Sequence, residues 1–205
     1  MKDMKVNEIF YSIQGEGFHT GTPAVFVRFS GCNLKCPFCD TDFKKWTNMT
    51  EEEIMDAVCE VAGDCRFVVL TGGEPTLQVN DKLISLFHRS WFTVAMETNG
   101  TRPWPESLDW VTISPKSMFL DGAECGIGAL YGGNPKADEV KVVYNGDNGH
   151  LLSLYDNIAE YKYIQPCDTG DNAKNRQILK SAVEWLKQNP SWRLSLQTQK
   201  IINVR

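Results

Sequence analysis

The sequence predicts an α/β fold in which a largely parallel sheet, open or curled into a partial barrel, is joined by crossover helices. Two patterns and one length carry this expectation. Short runs rich in Val, Ile and Phe alternate, imperfectly, with helical patterns, and such alternation calls for parallel strands. Nearly every apolar run then empties into a polar motif. The chain has 205 residues, whereas a complete eight-fold barrel typically needs about 250, so a truncated TIM-like barrel of largely parallel strands is expected.

In chain order, strands are read at Ala24 to Phe29, Phe67 to Leu70, Phe92 to Met96, Trp110 to Ile113, Val140 to Val143, Tyr161 to Ile164 and Trp192 to Leu196. Thr50 with Glu53 forms a capping box ahead of a helix to about Val61. Ile178, Leu179, Ala182, Val183 and Leu186 make the apolar stripe of a later helix. No repeat, low-complexity tract or linker interrupts the chain, so residues 1–205 read as a single domain. Its least regular stretches are the loop after Ser30 and the glycine-rich segment from Asp121 to Gly133. The motifs that follow the apolar runs are SGCNLKC, TGGEP, ETNG, SPK, YNG, QPCD and QTQK. In parallel α/β folds the site lies at the carboxyl ends of the strands, so all of these are expected at one rim.

Composition narrows the function classes. With 42% hydrophobic and 11% aromatic residues, the chain can bury one sizeable core. Its 21 basic and 26 acidic residues give a net charge of −5, which lacks the broad positive field of a nucleic-acid binder. The N-terminal residues lack the apolar stretch of a signal peptide, and no segment is long enough to span a bilayer. A cytoplasmic protein without a membrane partner is expected. Seven cysteines, an odd count without an export signal, favour metal binding or burial over disulfides.

Cys32, Cys36 and Cys39 stand in C-x3-C-x2-C spacing in a loop after a strand, with Gly31 and Pro37 shaping the turn. A cubane iron-sulfur cluster needs four ligands, so three leave one iron open to a small molecule; a structural zinc site would close with a fourth Cys or His. The competing reading makes them buried thiols or half of a zinc ribbon completed by Cys59 and Cys65. That pair has C-x5-C spacing, and Cys59 faces out of its helix, so Cys59, Cys65 and Cys125 are read as structural thiols. In Thr71-Gly72-Gly73-Glu74-Pro75, the glycines allow close backbone approach to a ligand and Glu74 can receive an ammonium.

The cysteine spacing, with aromatic Phe38 before the last cysteine, resembles the radical S-adenosylmethionine superfamily. The resemblance implies a 4Fe-4S cluster on Cys32, Cys36 and Cys39, whose open iron chelates S-adenosylmethionine and whose electron splits it to a 5′-deoxyadenosyl radical. It also implies cofactor contacts from Phe38, Cys39, Asp40, Gly73 and Glu74, then Ser114, Pro115 and Lys116, and finally Gln165, Pro166, Cys167 and Asp168.

A narrower resemblance rests on Ile13-Gln14-Gly15-Glu16-Gly17, Arg28, Cys39-Asp40-Thr41 and Leu196-Gln197-Thr198-Gln199-Lys200. Together these are similar to the 7-carboxy-7-deazaguanine synthase family, over nearly the whole chain. The family converts 6-carboxy-5,6,7,8-tetrahydropterin to 7-carboxy-7-deazaguanine with loss of ammonia, as a carbon-nitrogen lyase supplying queuosine and related deazapurines. For this chain it implies Mg2+ on Thr41, substrate contacts from Ile13, Gln14, Gly15, Arg28, Thr71 and Gln199, an external electron donor such as flavodoxin, and a homodimer. Backbone groups of Ile13 to Gly15 would read a pterin edge, and the Arg28 fork would suit the substrate carboxylate; the plain alternative for Arg28 is an ion pair. Gln199 departs from the family's usual His and cannot titrate, though it can still hydrogen-bond. Two other readings remain at this point: an activase that makes a glycyl radical on a partner protein, and an electron-transfer iron-sulfur protein with a fully ligated cluster.

Overall fold

The computed structural model describes residues 3–39, 41, 45–116 and 137–204. Its strands are β1 (Met4–Ile13), β2 (Pro23–Phe29), β3 (Thr47–Met49), β4 (Phe67–Gly72), β5 (Thr93–Thr98), β6 (Trp110–Ile113), β7 (Ala137–Tyr144), β8 (Ala159–Pro166) and β9 (Arg193–Leu194). Its helices are α1 (Glu51–Ala62), α2 (Asp81–Arg89), α3 (Asn172–Gln188) and the short α4 (Thr198–Ile201). All the strands join one sheet in the order β3-β1-β2-β4-β5-β6-β7-β8-β9. From β2 onward every neighbouring pair is parallel and follows chain order. The sheet starts at β3 and ends at β9 without closing, so the expected open, largely parallel α/β fold is the one observed.

The antiparallel strands β1 and β3 are additions to the expected set. β1 escaped the period-two reading because its register with β2 shifts between Val6 and Glu8. A bulge of this kind moves the following side chains out of alternation.

Local chemistry sets the helix starts. Thr50 Oγ1 accepts from Glu53 N at 3.2 Å while Glu53 Oε2 accepts from Thr50 N at 2.8 Å, the reciprocal box the spacing predicts. Glu51, Glu52 and Glu53 in the first turn favour the positive end of the helix dipole. Asn80 caps α2 through Leu83 N, and Asp171 caps α3 through Ala173 N and Lys174 N. On α3, Ile178 and Ala182 are buried and Leu186 packs against the core, but Leu179 of the predicted stripe is exposed.

Strand alternation divides the two faces of the sheet. Val25, Val27 and Phe29 of β2, Val68 and Leu70 of β4, Val94 and Met96 of β5, and Val140 and Val142 of β7 share one core with Ile54, Val58, Leu83 and Phe87 of the helices. The residues between them belong to the opposite, inner face. There Ala24, Val69 and Ala95 form a small apolar layer, while Arg28, Thr71, Glu97 and Lys141 stand nearer the carboxyl ends.

The β1–β2 connection folds across that inner face. Gln14 Nε2 donates to Glu97 Oε1 at 2.9 Å, Gly17 N to Ser195 Oγ at 3.0 Å, and Phe18 N to Glu139 Oε2 at 3.0 Å. Gly15 O accepts from Thr198 N at 3.1 Å. Phe18 and His19 then stack among Phe67, Trp110 and Tyr161 at the strand starts. The connection thus makes a floor between the two ends of the curled sheet. Among the described residues no helix is long and apolar enough to cross a membrane.

Candidate active site

A cavity of about 1410 Å3 opens at the carboxyl ends of the strands. That exceeds the roughly 300–1,000 Å3 of a pocket for one drug-sized ligand, leaving room for two small molecules.

One end of the cavity carries Cys32, Cys36 and Cys39, all free thiols, with Thr41 beside them. Cys39 N donates to Cys36 O at 3.2 Å, closing a tight turn, and Cys32 Sγ accepts from Leu34 N at 3.4 Å. Among the described residues no three His, Cys, Asp or Glu side chains converge to hold a metal ion, these three included. A cluster asks for something else, since each thiolate takes a different iron. Three soft sulfur donors on one cavity, each free to take its own iron, fit a cubane with one open iron.

The cluster loop and TGGEP meet backbone to backbone. Gly73 N donates to Phe29 O at 2.9 Å and Glu74 N to Gly31 O at 2.8 Å. A Cβ on Gly73 would lie 2.0 Å from Gly31 O, so only glycine permits this approach. The expectation that Glu74 receives an ammonium is corrected here. Its side chain is fully buried and absent from the cavity wall; Oε1 accepts from Thr98 Oγ1 at 2.7 Å and from Thr76 N and Oγ1, and Oε2 from Asn99 N at 2.8 Å. The carboxylate ties TGGEP to ETNG, and Gly72 and Gly73 are what the motif turns to the cavity.

The other residues expected at the cofactor are gathered with two exceptions. Phe38, Gly73, Ser114, Lys116, Gln165, Pro166, Cys167 and Asp168 line the cavity; Pro115 is buried off it, and Asp40 lies outside the described residues. So do Cys125 and the glycine-rich segment. Asp168 is held at about 2 by Lys200 at 2.9 Å, then by Gly170 N and Asn175. The YNG motif does not join the wall: Tyr144 Oη pairs with Ser181 Oγ at 2.9 Å and Asn145 Oδ1 accepts from Asp147 N and Asn148 N.

Ile13, Gln14, Gly15, Arg28, Thr71 and Gln199 all line the same cavity. Arg28 makes the ion pair of the plain reading, Glu8 Oε1 holding its Nε at 2.8 Å, and both residues line the cavity. The Gln14 backbone is less open than expected. Its N–H donates to Thr22 O and its carbonyl accepts from Gly21 N, so a second carbonyl lone pair is what the Gln14 backbone retains for a ligand.

Sequence reasoning missed the charged floor. Lys141 Nζ lies 2.6 Å from Glu16 Oε2 and 3.4 Å from Glu97 Oε1, and all three line the cavity. The available signal was Glu139 and Lys141 at alternate positions of a strand whose second half is otherwise apolar, which puts two charges on one face. Burial works against the charge on Glu16, but Lys141 and then Gln199 and Gln197 outweigh it and hold the carboxyl at about 2. Burial likewise disfavours the Lys141 ammonium, and Glu16, Glu97 and Glu139 push it well up.

Glu139 is the odd carboxyl. Burial raises it to about 7, with Lys141 and the Phe18 amide pulling down and Glu97 and Glu16 adding to the rise. A carboxyl raised from 4.5 binds its proton more tightly in the native state, so its contribution to stability falls as pH climbs from about 4.5 to about 7. Glu139→Gln keeps an acceptor for Phe18 N and cannot ionise. It is expected to raise stability at pH 8 by on the order of 3 kcal/mol and to make little difference at pH 5; thermal melts at the two pH values check this.

Comparison with known proteins places this geometry. Residues 26–116 match the model of the radical SAM superfamily. The chain is 49% identical over 202 residues to the 7-carboxy-7-deazaguanine synthase of Bacteroides thetaiotaomicron, covering 98% of each, and 39% identical over 219 residues to that of Burkholderia multivorans, covering 97% and 98%. The crystal structure of QueE from Escherichia coli superposes with a TM-score of 0.75 at 28% identity, covering 96% of this chain and 94% of that one. With Cys32, Cys36 and Cys39 on one cavity with Gln14, Arg28 and Thr71, the chain belongs to the radical SAM superfamily and, within it, to the 7-carboxy-7-deazaguanine synthase family.

Proposed function

We propose that this chain converts 6-carboxy-5,6,7,8-tetrahydropterin to 7-carboxy-7-deazaguanine with release of ammonia, as a radical S-adenosylmethionine lyase of deazapurine biosynthesis. The observation that carries the reading is the shared cavity: the three thiols form one end of it, and Gln14, Arg28 and Thr71 line the same space. An activase would have to admit a protein backbone, whereas this cavity is floored by Gln14 and Glu16. An electron carrier has no task for a cavity of this size.

When bound, the reduced cluster and S-adenosylmethionine supply the radical that takes hydrogen from the substrate. The chain's own work is positioning. Cys32, Cys36 and Cys39 hold the cluster. Phe38, Gly73, Ser114, Lys116 and residues 165–168 cradle S-adenosylmethionine, with Asp40 carried over from the family motif. Arg28, steadied by Glu8, offers its guanidinium to the substrate carboxylate, and Thr71 adds a hydroxyl. Ile13 to Gly15 and Gln199 support the ring. Gln199 cannot move a proton, so this position binds without acid–base work.

Thr41 supplies a hydroxyl oxygen on the cavity wall beside Cys39, a donor of the kind Mg2+ takes alongside substrate oxygens and water. Thr41→Ala is expected to raise the Mg2+ concentration for half-maximal turnover about tenfold while sparing cluster content, as a magnesium titration with iron analysis would show. One continuous sheet supports residues 1–205 acting as a single domain. A homodimer, an external donor such as flavodoxin and a cytoplasmic setting complete the reading.

The deciding experiment is anaerobic. The cluster is reconstituted and reduced, S-adenosylmethionine, Mg2+ and 6-carboxytetrahydropterin are added, and products are followed by mass. Deazapurine and ammonia are expected; cofactor cleavage without deazapurine would sink the substrate assignment.

A further inference from the structure

The floor beneath the cavity is an ion network that the proposed reaction does not by itself require. Lys141 on β7 is buried with its ammonium between Glu16 of the β1–β2 connection and Glu97 of β5. Each carboxylate in turn holds amides. Glu97 Oε1 accepts from Gln14 Nε2 at 2.9 Å, and Glu16 Oε1 accepts from Gln197 Nε2 and Gln199 Nε2, both at 3.1 Å. One buried cation therefore organises side chains from β5, β7, the β1–β2 connection and the chain's last turn.

We propose that Lys141 is a positioning residue for the pterin: through its ion pairs with Glu16 and Glu97, it locks the amides of Gln14, Gln197 and Gln199 in one orientation beneath the ring. This rests on the functional reading above and deepens it.

The argument is one of donor and acceptor polarity. An ionised carboxylate only accepts, so an amide facing it must present NH2 and turn its oxygen the other way. Gln14 obeys: its Oε1 swings back to accept from Glu16 N at 3.2 Å, clamping the floor segment on itself. Gln199 obeys too, at the expense of leaving Oε1 buried without a partner among the described residues, tight against Gly15. An amide flip would set its oxygen against Glu16 Oε1. The orientation is therefore imposed by the charge on Glu16, and that charge is maintained by Lys141. Without the ammonium, Glu16 would be left close to other carboxylates with no counter-charge and would take up a proton, and a protonated Glu16 could donate. The floor would then lose its single pattern of donors and acceptors. A pterin, whose edge alternates ring nitrogens, N–H groups, an oxo and an amino group, is a ligand that such a fixed pattern can discriminate.

The test uses the reconstituted enzyme with S-adenosylmethionine, and 6-carboxypterin as the binding probe in calorimetry. Lys141→Met is expected to weaken 6-carboxypterin at least tenfold and to raise the KM for the tetrahydro substrate more than it lowers kcat. The change that S-adenosylmethionine causes in the spin-resonance spectrum of the reduced cluster should persist, because Ser114 on the cofactor side bonds the backbone carbonyl of Lys141, which the substitution keeps, and not its ammonium. Glu16→Gln, which leaves the Lys141–Glu97 pair and so secures folding, should weaken the probe about fivefold or more. The double variant should be little worse than Lys141→Met alone, since both act through one chain of contacts. Unchanged probe affinity in both single variants, or fully multiplicative losses in the double, would overturn the proposal. So would loss of the spectral response in step with pterin affinity, which marks a merely structural lysine. A wild-type enzyme that does not bind the probe at all would instead bring down the functional reading.

Discussion

Gly73→Ala is expected to abolish cluster retention and with it the cleavage of S-adenosylmethionine. The added Cβ would sit 2.0 Å from Gly31 O, 2.5 Å from Gly31 C and 3.2 Å from Cys32 N, all of them backbone atoms of the loop that carries the first thiol. A side chain could rotate away; a backbone cannot without moving Cys32. Two hydrogen bonds, Gly73 N to Phe29 O and Glu74 N to Gly31 O, would be broken or stretched in the same displacement. Overpacking of this kind typically costs about 1–3 kcal/mol even where side chains can yield, and here the strain falls on the cluster loop. Iron and sulfide content after anaerobic reconstitution is the direct measurement. A variant that retains a full cluster and cleaves S-adenosylmethionine normally would show that the two motifs are not in this contact.

Glu74→Ala is expected to act on folding. The carboxylate is 1% exposed and accepts from Thr76 N, Thr76 Oγ1, Thr98 Oγ1 and Asn99 N. Truncation leaves buried donors without an acceptor and opens a cavity, for a loss of roughly 3–5 kcal/mol. In a chain of this length that corresponds to about 10 °C or more in Tm. If Glu74 instead served mainly as a ligand for an ammonium, the cluster-free protein would melt normally and only S-adenosylmethionine binding would suffer. Thermal unfolding of the cluster-free variant separates the two outcomes.

The same residue shows where reading the sequence stops. A glutamate after two glycines at a strand end is equally suited to face a ligand or to turn back under the sheet. Nothing in TGGEP distinguishes these, because the partners that decide are Thr98 and Asn99, more than twenty positions away. Arg28 is a milder case: ion pair and ligand contact looked like alternatives, and the sheet makes them compatible by placing Glu8 on the neighbouring strand with both side chains on the cavity. β1 was hidden for a different reason, since the bulge between Val6 and Glu8 breaks the period on which strands are recognised.

What the sequence by itself determined was local: the spacing of Cys32, Cys36 and Cys39, the Thr50–Glu53 cap, the parallel run of strands from β2 onward and the family to which the motifs belong. Each motif, cap and strand is written in a short stretch of chain, where spacing and periodicity translate directly into geometry, and the fold class and family follow from their order along the sequence. Tertiary structure alone decided the fate of Glu74 and the charged floor of Glu16, Glu97 and Lys141. Lys141 meets its partners across 125 and 44 positions, and a charge in an apolar strand becomes tolerable only once register sets the opposite charge beside it. Burial penalises each ion separately, and only the assembled sheet supplies the pairing that offsets it.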